Sequence, residues 1–371
     1  MSGTALWGWT ISASGLFIAI ASPILGYRAD RKRQLIRYLL IGCTLIVSLS
    51  CILLWFSGPS SKYIIYTLVI IFISNSSFEI AQVFYNSQLV KFKENTKLGR
   101  FSGTAWAAGY IGGICCLALV LFLFVLPEKS LFGLDKNAFE HIRACGPIVG
   151  IWFLLFSLPF LINFSKLERK NYITDHEKFS FFSSIKFLIK NKSLRNFLIA
   201  RMFYTDGLIT LFSFGGIYAS GTFNFNFNEI IVFGIMINIS AAIGAYMFGF
   251  LEDKLGMRKV ILISLICLII ISIGILLTSN KTVFWFLGFM IGFFIGSVQS
   301  SSRTAMISLS NKRNINQLFG LYAVSGKITN FIGPFLVASL TAFFESQRVG
   351  MSSILIFLII GAFGIYKTQI K

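Results

Sequence analysis

Apolar residues run through this chain in long blocks broken by short polar and mostly basic interruptions. The blocks lie near 5–27, 35–57, 63–87, 101–126, 142–164, 194–219, 227–250, 259–278, 282–305, 317–344 and 350–367. Each is close to or longer than the ~20 residues a helix needs to cross a hydrocarbon core. The pattern predicts an all-α integral membrane protein with about eleven transmembrane helices. Hydropathy falls and charge rises over 166–193, which predicts a cytoplasmic linker. It would join an amino-terminal half of five helices (1–165) to a carboxy-terminal half of six (194–371).

Composition agrees with a membrane class and excludes a soluble one, with 56% hydrophobic residues, 13% charged residues and a mean hydropathy of +0.77. A formal charge of +19 invites a nucleic-acid reading, but the distribution of that charge argues otherwise. Lys and Arg in and beside the interruptions number 24 on one side of the predicted bilayer and 6 on the other. Such an asymmetry is the positive-inside rule, so the charge is topological and no nucleic-acid partner is expected. It places the carboxyl terminus in the cytoplasm and Met1 outside. The first apolar block has its basic residues after it instead of before it, so it is expected to remain in the membrane. Six cysteines without a CxxC pair and two histidines in loops suggest neither a metal centre nor a disulfide framework, and no cofactor is expected.

Within the blocks, ionised residues are costly and need a reason. Asp206 lies about 18 Å from the start of its block and Lys327 about 15 Å from the start of its own, both near mid-membrane at ~1.5 Å per residue. Glu79 lies about 24 Å into its block. Asn75, Glu79, Gln82 and Asn86 fall on one helical face, as do Asp206, Thr210 and Ser213. These stripes predict either interhelical hydrogen bonds or the wall of a cavity. Arg201 and Arg303 lie nearer the predicted cytoplasmic ends, where anchoring by snorkelling or pairing with a loop carboxylate such as Asp253 is expected. Gly288, Gly292 and Gly296 form a double GxxxG row, and Gly103, Gly109, Gly112 and Gly113 crowd another block. Both rows predict close helix packing.

One short signature occurs twice. Gly26-Tyr27-Arg28-Ala29-Asp30-Arg31-Lys32-Arg33 ends the first block, and Gly249-Phe250-Leu251-Glu252-Asp253-Lys254-Leu255-Gly256-Met257-Arg258-Lys259 ends the seventh. The Gly-x-x-x-Asp pattern followed by basic residues resembles the repeated loop motif of the major facilitator superfamily. The first copy departs from it, because Arg31-Lys32-Arg33 follows Asp30 without the usual spacer and glycine. Further strings narrow the resemblance: Phe84-Tyr85-Asn86-Ser87, the run Ser102 to Gly113 around Trp106 and Tyr110, and Phe203-Tyr204-Thr205-Asp206-Gly207. Gln299-Ser300-Ser301-Ser302-Arg303 and Phe319-Gly320-Leu321-Tyr322 with Ser325-Gly326-Lys327 complete the set. Together they look like the prokaryotic branch of the family that includes the autophagy-linked vacuolar amino-acid effluxers of fungi.

The resemblance implies a secondary transporter in a bacterial plasma membrane, built of two pseudo-symmetric halves that rock about a midplane site. It implies twelve helices, so the one before Leu6 is expected to be missing. A non-transporting membrane protein is the alternative that such a loss would leave. Its expected partners are the lipid bilayer, a small-molecule substrate such as an amino acid, and a coupling proton as a candidate. Candidate substrate or coupling residues are Glu79, Asn86, Trp106, Tyr110, Tyr204, Asp206, Gln299 and Lys327. Candidate gating residues are Gly26, Asp30, Arg31, Gly249, Asp253 and Arg258, with Arg201 and Arg303 as structural or gating groups. No nucleophile with a base is evident, so an enzyme is not expected. The segment Gly320 to Ile328 imitates a P-loop but has five residues between its glycines and ends in Ile, so no nucleotide site is expected.

Overall fold

A computed structural model of the chain describes residues 3–93, 97–127, 131–167, 187–310 and 314–370. Its helices are α1 (Gly3–Arg31), α2 (Arg33–Leu53), α3 (Ile64–Ser87), α4 (Leu98–Val120), the short α5 (Glu140–Arg143), α6 (Cys145–Leu167), α7 (Lys192–Phe223), α8 (Phe227–Leu255), α9 (Met257–Leu277), α10 (Lys281–Ser308), α11 (Ile315–Ser325), α12 (Ile332–Phe344) and α13 (Gln347–Lys367). Ten of the described helices are long and apolar enough to span a membrane. Most of the linker predicted over 166–193 lies outside the described residues.

The tenth predicted span, 317–344, is the one that differs from an unbroken helix. It is divided into α11 and α12, with turns between Ser325 and Ile332. Its sequence gives the reason in part: Ser325-Gly326 and Lys327 through Asn330 place small and polar residues mid-block, where side chains of other helices can satisfy backbone groups released from the ladder.

Helix ends are marked by the residues that cap them. Asn226 accepts from the Glu229 amide while the Glu229 carboxylate accepts from the Asn226 amide, a capping box that starts α8. Asn280 accepts from the Thr282 and Val283 amides to start α10, and Asn191 accepts from the Leu194 amide to start α7.

The described helices gather into two compact units. One holds α1 to α3, the second part of α4, α5, α6 and α11; the other holds the first part of α4, α7 to α10, α12 and α13. Each half of the sequence therefore lends one segment to the unit built mainly from the other half. In the first unit, Ile36, Leu40, Ile80, Phe84 and Leu161 form an apolar core around Ala29.

In the second unit hydroxylated side chains are buried among the apolar ones, while many large apolar side chains face outward. Ser240, Ser264, Ser297, Ser300, Ser301, Ser302 and Thr304 are buried, whereas Ile270, Leu277, Phe286 and Phe363 are exposed. That arrangement is what hydrocarbon as the solvent requires, because small and hydroxylated side chains then hold helices together. Ser264 and Ser297 join α9 to α10 through a 2.8 Å hydroxyl contact. The glycine row on α10 behaves as predicted: Gly292 and Gly296 lie against the Ile237 and Ala241 carbonyls of α8. Of the four glycines expected to pack on α4, Gly103 makes such an approach, to Ala245, while Gly109, Gly112 and Gly113 face open space among the described residues. Those three glycines do not serve the close packing expected of them.

Candidate functional site

Each copy of the repeated signature ends in an aspartate that caps a helix belonging to the other half of the sequence. In the first unit, the Asp30 carboxylate accepts from the Asn316 amide at 3.0 Å, the Asn316 side-chain amide at 2.7 Å and the Gln317 amide at 2.9 Å. These are the first backbone donors of α11, which have no partner inside the helix. A carboxylate there also meets the positive end of the helix dipole. Ser87 donates to the Asn316 side-chain oxygen at 2.6 Å, so α3 fixes the residue that Asp30 holds. In the second unit, Asp253 accepts from the Gly99 amide at 2.8 Å. Its other oxygen lies 3.0 Å from Arg100 Nε, at an angle that makes this a charge contact and not a hydrogen bond. Gly99 is in the first turn of α4.

The motif glycines make both caps possible. A Cβ on Gly26 would collide with the Asn316 carbonyl, and one on Gly249 would stand 2.8 Å from the Gly99 carbonyl. Neither α11 nor α4 can reach its aspartate if a side chain intervenes. The basic residues of the signature have separate tasks. Arg31 lies 4.6 Å from the Tyr27 ring centroid, and Arg258 donates to the Tyr366 carbonyl of α13. Lys93 closes the far end of α10 by donating to the Ser308 and Ser310 carbonyls at 3.2 and 2.5 Å, a cation at a helix carboxyl end.

Arg303 departs from expectation. It lies within α10, which runs on to Ser308, and it is buried instead of anchored at a membrane surface. It donates to the Ser102 hydroxyl at 3.1 Å and the Ser102 carbonyl at 2.8 Å, and it stacks 5.0 Å from the Trp106 ring centroid. Arg100, instead of Arg201 or Arg303, is the cation beside Asp253. Next along α4, Trp106 donates at 3.0 Å and Tyr110 at 2.6 Å to one oxygen of Gln299. Three of the residues singled out from the sequence thus form one hydrogen-bonded group, with Arg303 behind it. Tyr204, also buried, shares a 2.7 Å hydroxyl contact with Ser302.

Arg201 is the second departure, and Asp206, for which interhelical hydrogen bonds were one of the two expectations, lies five positions further on. Both are on α7, and both turn toward the break between α11 and α12. Arg201 donates to the Ser325 hydroxyl at 2.6 Å, and its guanidinium lies against Gly326. Asp206 is fully buried, and both its oxygens lie 3.2–3.3 Å from the Gly333 amide. A cation therefore meets the carboxyl end of α11 and an anion meets the amino end of α12, each matched to its helix dipole. Thr210 donates back to the Asp206 carbonyl, whereas Ser213 is exposed, so the stripe predicted on α7 separates beyond Thr210. Lys327 lies within the break itself. In the first unit the stripe on α3 is half-buried at Glu79 and buried at Asn86, and Asn75 donates to Ser14 at 2.8 Å. Asn86 and Gln82 stand 3.5 Å apart.

Nothing in the sequence marks Ser102, Gly99 or Asn316 as partners of these groups. Their only signal is position, within the first two turns of helices that follow basic loops.

The family of Atg22-like vacuole effluxers matches residues 4–370. A transporter of major-facilitator type from Bacillus subtilis strain 168, described as uncharacterised, is 22% identical over 365 residues, covering 96% of this chain and 83% of its own. Autophagy-related protein 22 of Cryptococcus neoformans is 24% identical over 285 residues, covering 70% of this chain and 48% of that longer protein. Among solved structures, the major facilitator FucP in its outward conformation superposes with a TM-score of 0.75 at 14% identity, covering all of this chain and 90% of that one. A bacterial homologue of the iron transporter ferroportin gives 0.72 at 12% identity, covering 98% and 90%. At such identities these structures establish the fold alone, and it is the fold of the major facilitator superfamily. Its relatives are transporters and not enzymes. With the family matched over almost its whole length, this chain belongs to the Atg22-like vacuole effluxers within the major facilitator superfamily.

Proposed function

We propose that this protein is a secondary transporter that moves a small solute, with amino acids as the substrate class, by alternating access in a bacterial plasma membrane. The observation that carries the mechanism is the reciprocal capping. Asp30 holds the first turn of α11, and Asp253 holds the first turn of α4, each helix coming from the other half of the sequence. Caps of this kind are made or broken as units, which gives the two-state element that a rocking transporter needs. Since the basic loops mark the cytoplasmic side, the caps close the inner end, and their release opens it.

The substrate class rests on chemistry near the helix break. Asp206 and Lys327 supply a carboxylate and an ammonium in one unit, one for each end of a zwitterion. Trp106, Tyr110, Gln299 and Tyr204 of the same unit offer aromatic faces and hydrogen bonds for the remainder. Uptake and efflux of a panel of labelled amino acids by reconstituted protein, with and without a pH gradient, test this. Flux of at least one amino acid above protein-free vesicles is expected, and none in either direction would sink the substrate assignment.

Orientation has its own test. Cysteines placed at Lys91 and Lys136 should react with a membrane-impermeant maleimide from opposite sides of the membrane, Lys91 from the cytoplasm. Reaction of both from one side would refute the topology, because the span that begins at Leu98 separates them.

A further inference from the structure

The two copies of the loop signature differ at one buried position. Where the first has Ala29 immediately before its capping aspartate, the second has Glu252, and both are buried, at 0% and 4% exposure. The repeat can therefore be built with a methyl group there, and only the second copy places an ionisable group in that space. The Glu252 carboxylate accepts from the Ser301 hydroxyl of α10. The Thr304 hydroxyl is a second hydrogen-bonding neighbour of the carboxyl group and also lies 2.8 Å from the Ser301 carbonyl. A Cβ on Gly99 would stand 2.8 Å from the Glu252 Cβ, so the first turn of α4 covers the carboxyl group.

The charged groups nearest Glu252 each have close contacts of their own, and through space Asp253 disfavours and Arg303 favours a carboxylate there. Asp253, next along α8, binds the Gly99 amide and meets Arg100 of α4. Arg303 of α10 is turned to Ser102 and Trp106. Arg258, at the start of α9, is turned to the Tyr366 carbonyl. An ionised carboxylate this far from water costs several kcal/mol unless a cation and further donors compensate it. A neutral carboxylic acid is satisfied by hydroxyl partners of the kind present.

We propose that Glu252 is a proton-binding site that ties the seating of α4 to protonation. With α4 capped by Asp253 and packed over it, Glu252 holds its proton; when the first turn of α4 withdraws, water reaches the carboxyl group and the proton leaves to the cytoplasmic side. One proton is bound or released per opening, with no other bond changed. Because proton binding favours the seated state, acid stabilises it and alkali weakens it. This inference rests on the reading of the Asp253 cap as a gate.

The test uses spin labels at Phe101 and Leu255, exposed positions at the start of α4 and the end of α8, in cysteine-free protein in lipid nanodiscs. The short-distance population should fall as pH rises from mildly acidic to mildly alkaline. In Glu252→Gln, a neutral isostere of the acid form, it should stay at its acidic level throughout. Infrared difference spectra over the same titration should show a protonated carboxyl band in the unsubstituted protein that is lost in Glu252→Gln. A population flat in pH in the unsubstituted protein, a Glu252→Gln protein that titrates unchanged, or a carboxyl band unaffected by the substitution would each overturn the proposal. Asp253→Ala, which removes the acceptor, separates the two readings. If it leaves the short distance intact, the gate assignment fails, while the infrared band still reports whether Glu252 binds a proton.

Discussion

Removing both capping carboxylates, by Asp30→Ala together with Asp253→Ala, is expected to drive the protein out of the conformer described here and expose the first turns of α4 and α11. Each substitution strips a helix amino end of its acceptor, a loss of about 1–2 kcal/mol for an ordinary cap. Asp30 should lie at the upper end, since it accepts three hydrogen bonds where Asp253 accepts one from Gly99 and a charge contact from Arg100. The two sites share no partner, so their effects should add to roughly 2–4 kcal/mol, or a shift of about 30- to 700-fold in the equilibrium at 1.4 kcal/mol per decade. The measurement is the rate at which a cysteine at Leu98, a buried position at the start of α4, reacts with a maleimide. Each single variant should raise that rate and the double variant should raise it most. An unchanged rate in all three would leave the signature with a role in topology alone.

Much of this was open to reading in the sequence because hydrocarbon is an unforgiving solvent. Blocks of about 20 apolar residues and the placement of Lys and Arg fixed the helices and their order. The Gly-x-x-x-Asp repeat fixed which aspartates would organise the helix ends. What the aspartates hold was not legible: nothing in the sequence near Asn316 or Gly99 advertises an orphaned amide, since every helix has them. The break between α11 and α12 was concealed for a related reason. Its residues sit inside a block apolar enough to read as one helix, and the groups that compensate the missing backbone bonds, Arg201 and Asp206, are more than 100 positions away. Arg201 and Arg303 were assigned to the membrane surface by depth along their helices. Depth along the axis says nothing of which way a side chain faces, and both turned inward, one to Ser325 and one to Ser102. Glu252 was overlooked as chemistry because it stood inside a motif whose following aspartate already had a role.

Asp206 offers the sharpest separation of support from transport. Its carboxylate is fully buried and meets the Gly333 amide with both oxygens. Arg201, about 7.5 Å earlier along α7 at ~1.5 Å per residue, holds Ser325 at the other side of the break. Asp206→Leu removes the acceptor, leaves the Gly333 amide buried and unsatisfied, and is expected to cost about 1–3 kcal/mol. Asp206→Asn keeps an acceptor oxygen for Gly333 while removing the charge, so its fold should persist with a smaller loss of thermal stability. If the charge acts on substrate or a coupling ion, Asp206→Asn should fall at least about tenfold in transport, a differential interaction of 1.4 kcal/mol. Lys327→Met should behave alike, and the double variant should stay inactive. If Asp206 and Lys327 serve only to neutralise one another, each single variant should lose expression and the double should recover it, because a lone buried charge is the costly state. Melting temperature, expression and amino-acid flux measured on the four proteins decide the matter; wild-type flux in both Asp206→Asn and Lys327→Met would leave Asp206 as the cap of α12 and nothing more.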